Sequence, residues 1–466
     1  MFGPGSIVRT GLRISLLAGL FSLVGCSTVP PYQTPALPLA STWAQGLADG
    51  DAAGGRWWTQ FHSPELDALI ARGLGGNNTL SAAASRIDQA RAAADVAGAG
   101  QFPTLSLGAT VQRQDRKSGS EKSNIAVQAS YEVDFWGKQR TRAGSADALV
   151  QATVFDAQTL RMSLGANIAS AYFDVLSRQD QIRLANSIAD DAQQVLALIE
   201  VRAAQGAASD LDVAQQRNAL QTFLAAVPPL RQQRDLALYQ LAVLTGQTPE
   251  GFTLTQTGLG QLPIPHPTAG VPMSLLRQRP DIGAADARLQ AANFDVGVAR
   301  AAFLPSLTLN LSTGVSLLGG NIWGAVASAT QPLFNAGALQ GQLNVNRARV
   351  DELTANYRES VLQALKDVDT QLSAARELDA AYVLNQAAVS SAREAARLAQ
   401  VRYRLGATDF QTLLVVERTQ YQAESTMLQT RLQQLQAAVG LFRALGGDFT
   451  PPTTTTTTTS SLASPS

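Results

Sequence analysis

Hydrophobic and polar positions alternate with period two in four segments of about ten residues. Leu105, Leu107, Ala109 and Val111 form the first series, and Ile125, Val127, Ala129, Tyr131 and Val133 the second. The third runs through Leu307, Leu309, Leu311 and Val315, interleaved with Thr308, Asn310, Ser312 and Ser316, and a weaker fourth extends from Asn321 to Gln331. Alternation of this length, bounded by turn residues, predicts strands with one apolar face, as in membrane barrels or half-buried soluble hairpins. Four strands cannot close a barrel, for which about eight is the minimum, so a barrel would require several chains.

The period changes after the second strand of each pair. Residues 139–205 and 338–405 contain no proline and are rich in Ala, Gln, Leu and Arg. Apolar residues recur there every seventh position: Ile168, Val175, Ile182, Ala189 and Leu196, then Val361, Val368, Ala375, Tyr382, Val389, Ala396 and Tyr403. This spacing predicts helices with coiled-coil contacts. At 1.5 Å per residue each would run on the order of 100 Å, which needs support from neighbours. Shorter helical patterns cover roughly 80–100 and 281–302.

Each long pattern ends in a turn, Gln205-Gly206-Ala207-Ala208-Ser209 or Leu405-Gly406-Ala407-Thr408. Glycine supplies the left-handed conformation that ends a helix. Ser209 with Asp212, and Thr408 with Gln411, have the spacing of capping boxes that start a returning helix. Two antiparallel helical hairpins result. Pro228-Pro229 is expected to break or kink the first return helix, leaving a shorter helix over about 230–245.

These elements occur twice. Phe102-Pro103-Thr104-Leu105-Ser106-Leu107 reappears as Leu304-Pro305-Ser306-Leu307-Thr308-Leu309 (305 − 103 = 202), and Gly206-Ala207 as Gly406-Ala407 (406 − 206 = 200). Several matches in one order with a near-constant offset identify tandem copies of one unit, 77–246 and 275–447. Between them, 247–274 is rich in Gly, Pro and Thr and reads as a linker with part of an equatorial domain. The tail, 448–466, is a low-complexity threonine and serine segment.

Arg9 and Arg13 precede the apolar run Ile14–Val24, the layout of an export signal over 1–25 and too short for a comfortable membrane span. The run ends in Leu23-Val24-Gly25-Cys26, which resembles a lipobox, and Cys26 is the chain's single cysteine. A buried apolar thiol is the alternative. Acyl chains on Cys26 would anchor the chain stably, at roughly 0.8 kcal/mol per buried methylene. The stretch 26–76, with Pro30, Pro31, Pro35 and Pro38, reads as the lipid anchor, an extended tether and the start of the equatorial domain. Ser27 follows where the family's inner-membrane retention signal would place Asp, so the outer membrane is the implied address.

Lys plus Arg and Asp plus Glu both number 36, leaving no basic footprint for nucleic acid. His62 and His266 are the only histidines, and no phosphate-cradling glycine loop lies between strand and helix. Nothing here assembles a catalytic group, a metal site or a cofactor site beyond the covalent lipid on Cys26.

Leu275-Leu276-Arg277-Gln278-Arg279-Pro280-Asp281-Ile282, Ala299-Arg300-Ala301 and Leu304-Pro305 resemble the hallmarks of TolC-like outer-membrane efflux proteins. So do Tyr131-Glu132-Val133-Asp134-Phe135-Trp136-Gly137, Gln331-Pro332-Leu333-Phe334-Asn335-Ala336-Gly337 and Ala444-Leu445-Gly446-Gly447. Gly25-Cys26 and Trp57-Trp58-Thr59-Gln60-Phe61 point to the lipoprotein, NodT-type branch that serves resistance-nodulation-division pumps. The resemblance covers nearly everything from Cys26 to Asp448. It implies a mainly helical fold with a transmembrane β part, four strands and long helical hairpins per chain. Three chains would share a twelve-stranded barrel continuous with a helical tunnel.

The implied function is passive conduction of small solutes to the exterior, with a periplasmic adaptor and an energised inner-membrane transporter as partners. It places the periplasmic gate at the hairpin tips, 205–212 and 405–412, with Gly206, Asp210, Asp212, Gly406, Asp409, Thr412 and Val415. The acids there either repel one another and attract cations at a constriction or stabilise helix N-termini. Many relatives carry Asp where this chain has Leu414-Val415-Val416, which leaves an apolar constriction open. Arg279, Pro280 and Asp281 read as structural, with proline in a first helical turn and the aspartate at its positive end. A type I protein-secretion duct and a structural periplasmic coiled-coil lipoprotein remain the alternatives.

Overall fold

The computed structural model describes residues 28–38, 40–44, 51–52, 55–113, 121–260, 262–269, 272–273, 278–316 and 319–447. Strand β1 (Asp51–Ala52), a 3₁₀ turn (Trp57–Phe61), helix α1 (Pro64–Gly76) and helix α2 (Asn78–Ala99) lead into strands β2 (Thr104–Arg113) and β3 (Glu121–Val133). Helices α3 (Lys138–Ala204) and α4 (Asp210–Leu244) follow, then β4 (Pro267–Thr268), α5 (Pro280–Ala301), β5 (Ser306–Ser316), β6 (Asn321–Thr330), α6 (Ala338–Arg404) and α7 (Phe410–Ala444). The duplication is visible in the bounds, because α6 starts 338 − 138 = 200 residues after α3 and both helices have 67 residues. Helices α4 and α7 both have 35 residues at the same offset.

The described residues fall into two compact units. The first takes in those up to Leu37 with Ser85–Val154 and Ala284–Glu359. Its centre is an antiparallel sheet in the order β2-β3-β5-β6. The register carries the odd-numbered residues onto one face: Leu107 opposes Val127, Val127 opposes Thr313, and Thr313 opposes Trp323. Leu105, Leu107, Val111, Val127, Leu309, Leu311 and Trp323 are all exposed on that face. The even face carries Ser106, Thr110, Gln128, Asn310 and Ser312. One face is therefore suited to lipid and the other to water.

In the same unit the proline-rich segment is extended, as expected, but it is docked. The Tyr32 hydroxyl donates to Asp286 Oδ1 (2.7 Å), Asn293 Nδ2 donates to the Pro30 carbonyl (2.8 Å), and Tyr32 packs against Leu289 and Leu353.

The second unit takes in Pro38–Ala84, Phe155–Gly283 and the described residues from Ser360 onward. Its main core gathers Trp57, Trp58 and Phe61, Leu66 and Ile70 of α1, Ile168, Tyr172, Phe173 and Leu176 of α3, Leu241 of α4, and Leu435 and Phe442 of α7. Trp57 stacks on Phe442 at 5.2 Å between ring centres. The seven-residue rows behave as a seam: Ile168, Val175, Ile182, Ala189 and Leu196 are all buried, as are Val361, Val368, Val389, Ala396 and Tyr403, while Ala375 and Tyr382 are half-buried.

Two expectations change. Pro228 and Pro229 lie inside α4, which continues unbroken to Leu244. Val227 and Leu230 pack against Ile182 and Ala185 of α3, and this tertiary contact outweighs the local cost of two missing donors. The Gly- and Pro-rich stretch between the copies is no loose linker either. Phe252, Leu259 and Leu262 enter the main core, and the Glu65 carboxylate accepts the Thr255 and Gln256 backbone N–H groups (2.6 and 3.1 Å). Strand β4 pairs in parallel with β1.

Candidate functional site

The two helix reversals of the second unit share one backbone design. Gly206 and Gly406 adopt φ of +72° and +73°, where a side chain is strained. The Ala207 and Ala407 N–H groups donate back to the Arg202 and Arg402 carbonyls, both at 2.8 Å, and the glycine N–H groups reach Ala203 and Tyr403. These are Schellman closures, which satisfy carbonyls that the ending helix leaves free.

The starts of the return helices differ. Ser209 caps α4 with a complete capping box: its hydroxyl accepts from the Asp212 N–H (3.2 Å), and Asp212 accepts the Ser209 N–H (3.0 Å). In the second repeat the cap is Asp409, not Thr408 as the spacing of Thr408 and Gln411 implied. Its Oδ1 accepts the Thr412 N–H at 2.7 Å. At the offset of 200, Asp409 is the mate of Ser209, so the copies keep the capping position and exchange the residue. The hydrogen bond from Thr412 holds the Asp409 carboxyl below the usual carboxylate range. Asp210 stands exposed in the first turn of α4.

One apolar cluster joins all four helices at this end. Ile188, Val195, Leu196 and Ile199 of α3 meet Leu220 and Phe223 of α4, Tyr403 of α6, and Phe410, Leu413 and Leu414 of α7. Arg202 crosses from the first hairpin to the second: Nη1 donates to the Tyr403 carbonyl (2.6 Å) and the guanidinium lies 4.9 Å from the Tyr403 ring centre. Val415, next to Leu414 in sequence, is exposed, and Val201, Leu211, Val401 and Leu405 are further exposed apolar residues of the tips. Gly206, Asp212, Gly406, Asp409 and Thr412 thus belong to one joined pair of reversals.

A feature the motifs did not reveal is Glu417, buried on α7 one turn beyond Leu413 and Leu414. Burial pushes its carboxyl up to about 7; a hydrogen bond from Gln400 opposes the rise and the charge of Asp191 adds to it. Burial also raises Asp191, with help from Asp190 and Glu424. Glu424 is buried too, but accepts from Arg393 Nε (2.7 Å) and Gln420 (3.1 Å). The row Leu413, Glu417, Tyr421, Glu424 has helical core spacing, and that was the available signal.

The structure assigns Arg279, Pro280 and Asp281 to a rivet. Pro280 is the first residue of α5. Arg279 is buried and donates to both oxygens of Asp281 (3.0 and 2.6 Å), to Asp367 of α6 (3.2 Å) and to the Ala444 carbonyl ending α7 (3.3 Å). Burial disfavours its charge, yet Asp281 and Asp367 more than offset this and its pKa is raised. Cys26 lies outside the described residues. Among the described residues no group of three or more His, Cys, Asp or Glu could hold a metal ion, and no helix is long and apolar enough to cross a membrane.

The family model for outer membrane efflux proteins matches residues 69–247 and again 271–447. The chain is 37% identical to the pyoverdine export outer membrane protein OpmQ of Pseudomonas aeruginosa, over 93% of this chain and 96% of that one. With the toluene efflux pump outer membrane protein TtgC of Pseudomonas putida it shares 31% identity, over 93% and 95%. Among solved structures, the outer-membrane channel OprN superposes with a TM-score of 0.83 at 29% identity, covering 91% of this chain and 99% of OprN. The open state of the Neisseria gonorrhoeae MtrE outer membrane channel gives 0.82 at 28% identity, covering 91% and 98%.

Proposed function

This chain belongs to the outer membrane efflux protein family and is an outer-membrane efflux component, and from that premise we propose that three copies form a passive exit duct. The observation that carries the reading is the four-stranded sheet, whose odd face gathers most of the large apolar side chains and whose even face carries mainly Ser, Thr, Asn and Gln. Three such sheets make twelve strands, enough to enclose water, with the odd faces in lipid. Solutes then pass along Ser, Thr, Asn and Gln side chains without covalent change. A periplasmic adaptor and an inner-membrane transporter supply the gating and the energy, and no cofactor or catalytic group takes part.

Cys26 carries the lipid that holds the duct at the outer membrane. Replacement by Ser abolishes incorporation of labelled fatty acid; continued labelling of Cys26→Ser would refute the anchor.

The tips form the periplasmic gate. The bridge from Arg202 to Tyr403 ties the first hairpin to the second, and opening requires it to part. Asp210, Asp212 and Asp409 concentrate cations there, while Val415 and Leu405 narrow the passage with apolar surface. Adaptor binding at Gly206 and Gly406 releases the tie. Gly406→Trp, strained by about 1–2 kcal/mol at positive φ, loses efflux while trimers persist on gels; unchanged efflux would remove the tip as the docking point.

The higher identity with the relative named for pyoverdine export favours cargo of that kind over solvents. Expression of this chain in a producer lacking its own exporter restores pyoverdine to the medium; restored toluene tolerance instead would reverse the assignment.

A further inference from the structure

We infer that the cavity between α3, α6 and α7 is a cargo-contact site for an anionic solute rich in amide groups, such as a short acidic peptide, with Arg443 as its anion contact. The inference rests on the duct proposed above and adds the chemistry of what passes through it.

The cavity measures about 330 Å³ and lies between Asn167 and Ser170 of α3, Gln371 of α6, and Gln433, Gln436 and Arg443 of α7. That is the lower end of the roughly 300–1,000 Å³ usual for small-ligand pockets. The polar lining is amides and a hydroxyl, and Arg443 is its one charged side chain. Among the described residues neither the four amides nor the Arg443 guanidinium has a side-chain partner. An amide offers both donors and an acceptor, whereas the guanidinium offers donors alone, in a fork that fits a carboxylate. The set therefore suits peptide-like groups beside one negative charge, and a cation would meet like charge.

Gly440 gives the cavity its shape. It lies inside α7, where glycine is among the poorest helix formers. A Cβ at this position would stand 2.5 Å from Gln371 Oε1 and 2.7 Å from its Cδ, so the glycine leaves room for the Gln371 amide to lie against α7.

The lining is particular to the second repeat. At the offset of 200, Gln436, Gly440 and Arg443 correspond to Leu236, Gln240 and Val243 of α4. Leu236 and Val243 are 60% and 63% exposed. The second copy thus carries an amide and a cation where the first carries exposed apolar residues, so the polarity is no inheritance from the shared fold.

The cavity stands on the passage side. Tyr172 of α3 and Leu435 and Phe442 of α7 point instead into the main core, with Trp57, Leu66 and Leu259. The 3₁₀ turn, α1 and the segment between the repeats, which complete that core, would block a conduit if they stood within it. In the duct they lie outside, and three copies present three cavities to the passage. Arg443 also sits in the last turn of α7, where a cation complements the helix end. That role is indifferent to the charge of a solute, which is what the test varies.

Saturation-transfer NMR on the full-length protein in detergent, with N-acetyl-Asp-Ser-amide beside the neutral N-acetyl-Asn-Ser-amide, tests the site. The acidic peptide should bind at least about fivefold more tightly than the neutral one, as a charge-assisted contact to Arg443 requires. Arg443→Gln should abolish that preference. Gly440→Ala, a better helix former, should weaken the acidic peptide by a similar factor without lowering the melting temperature. Equal binding of the two peptides to the wild type, or a preference unchanged in Arg443→Gln, would overturn the site. Single-channel recording of the same preparation separates the two readings. Openings without a preference for the acidic peptide overturn the site and leave the duct standing, while a preference without openings keeps the site and contradicts the duct.

Discussion

The two repeats carry the same order of helices and strands at offsets of 200 to 202 residues, and they differ where equivalent positions do equivalent work. Asn77 precedes α2 and donates to the Leu244 carbonyl ending α4 (3.0 Å); its mate Arg279 precedes α5 and donates to the Ala444 carbonyl ending α7 (3.3 Å). The first repeat makes this tie with a neutral amide that also caps α2 through Thr79 and Leu80. The second makes it with a buried cation held by two carboxylates. Near the tips, Arg217 pairs with Glu200 in an exposed bridge (2.9 Å), while the same two positions in the second repeat hold the buried Glu417 and Gln400. Arg202 bridges to the other hairpin, whereas Arg402 turns back to its own Ala407 carbonyl. Duplication preserves the skeleton, and divergence has concentrated buried charge in the second copy.

The largest consequence concerns the rivet. Arg279→Ala leaves two carboxylates and a carbonyl without their partner and should cost about 3–5 kcal/mol, against about 1 kcal/mol for Asn77→Ala, the loss of a helix cap. Urea titration of detergent-solubilised protein compares them directly; equal losses would show that the two ties are energetically alike.

Next comes pH. The folded Glu417 carboxyl titrates near 7, above its value in an unfolded chain, so its contribution is fully present at low pH and is lost as pH rises through about 7. The melting temperature should fall between pH 5 and pH 8, with Glu417→Gln removing a dependence on the order of 2 kcal/mol. A variant that keeps the full pH dependence would place the titration elsewhere. At the equivalent exposed position, Arg217→Gln should change stability by only about 0.5 kcal/mol, and a loss comparable with that of Arg279→Ala would break the contrast between the copies.

Much of the skeleton was legible before any coordinates. Alternation gave the four strands, the absence of proline gave α3 and α6, and Gly206 and Gly406 marked the reversals, because each depends on near neighbours in sequence. The failures share the opposite property. Pro228 and Pro229 stay helical because α3 holds α4, and the contact between Arg202 and Tyr403 spans 201 residues. The spacing of Thr408 and Gln411 placed the cap of α7 one residue early, even though the repeat offset aligns Asp409 with Ser209. Glu417 was hidden because a carboxylate in a core row resembles a surface position until the opposing helices are placed.

Single-channel recording in planar bilayers, wild type beside Arg202→Ala, tests the duct and its gate together. The account predicts discrete openings, brief and small in the wild type, and at least several-fold larger or longer in the variant, where the tie to the Tyr403 carbonyl is gone. Silence from both proteins would contradict the duct, and identical openings from both would contradict Arg202 as its latch.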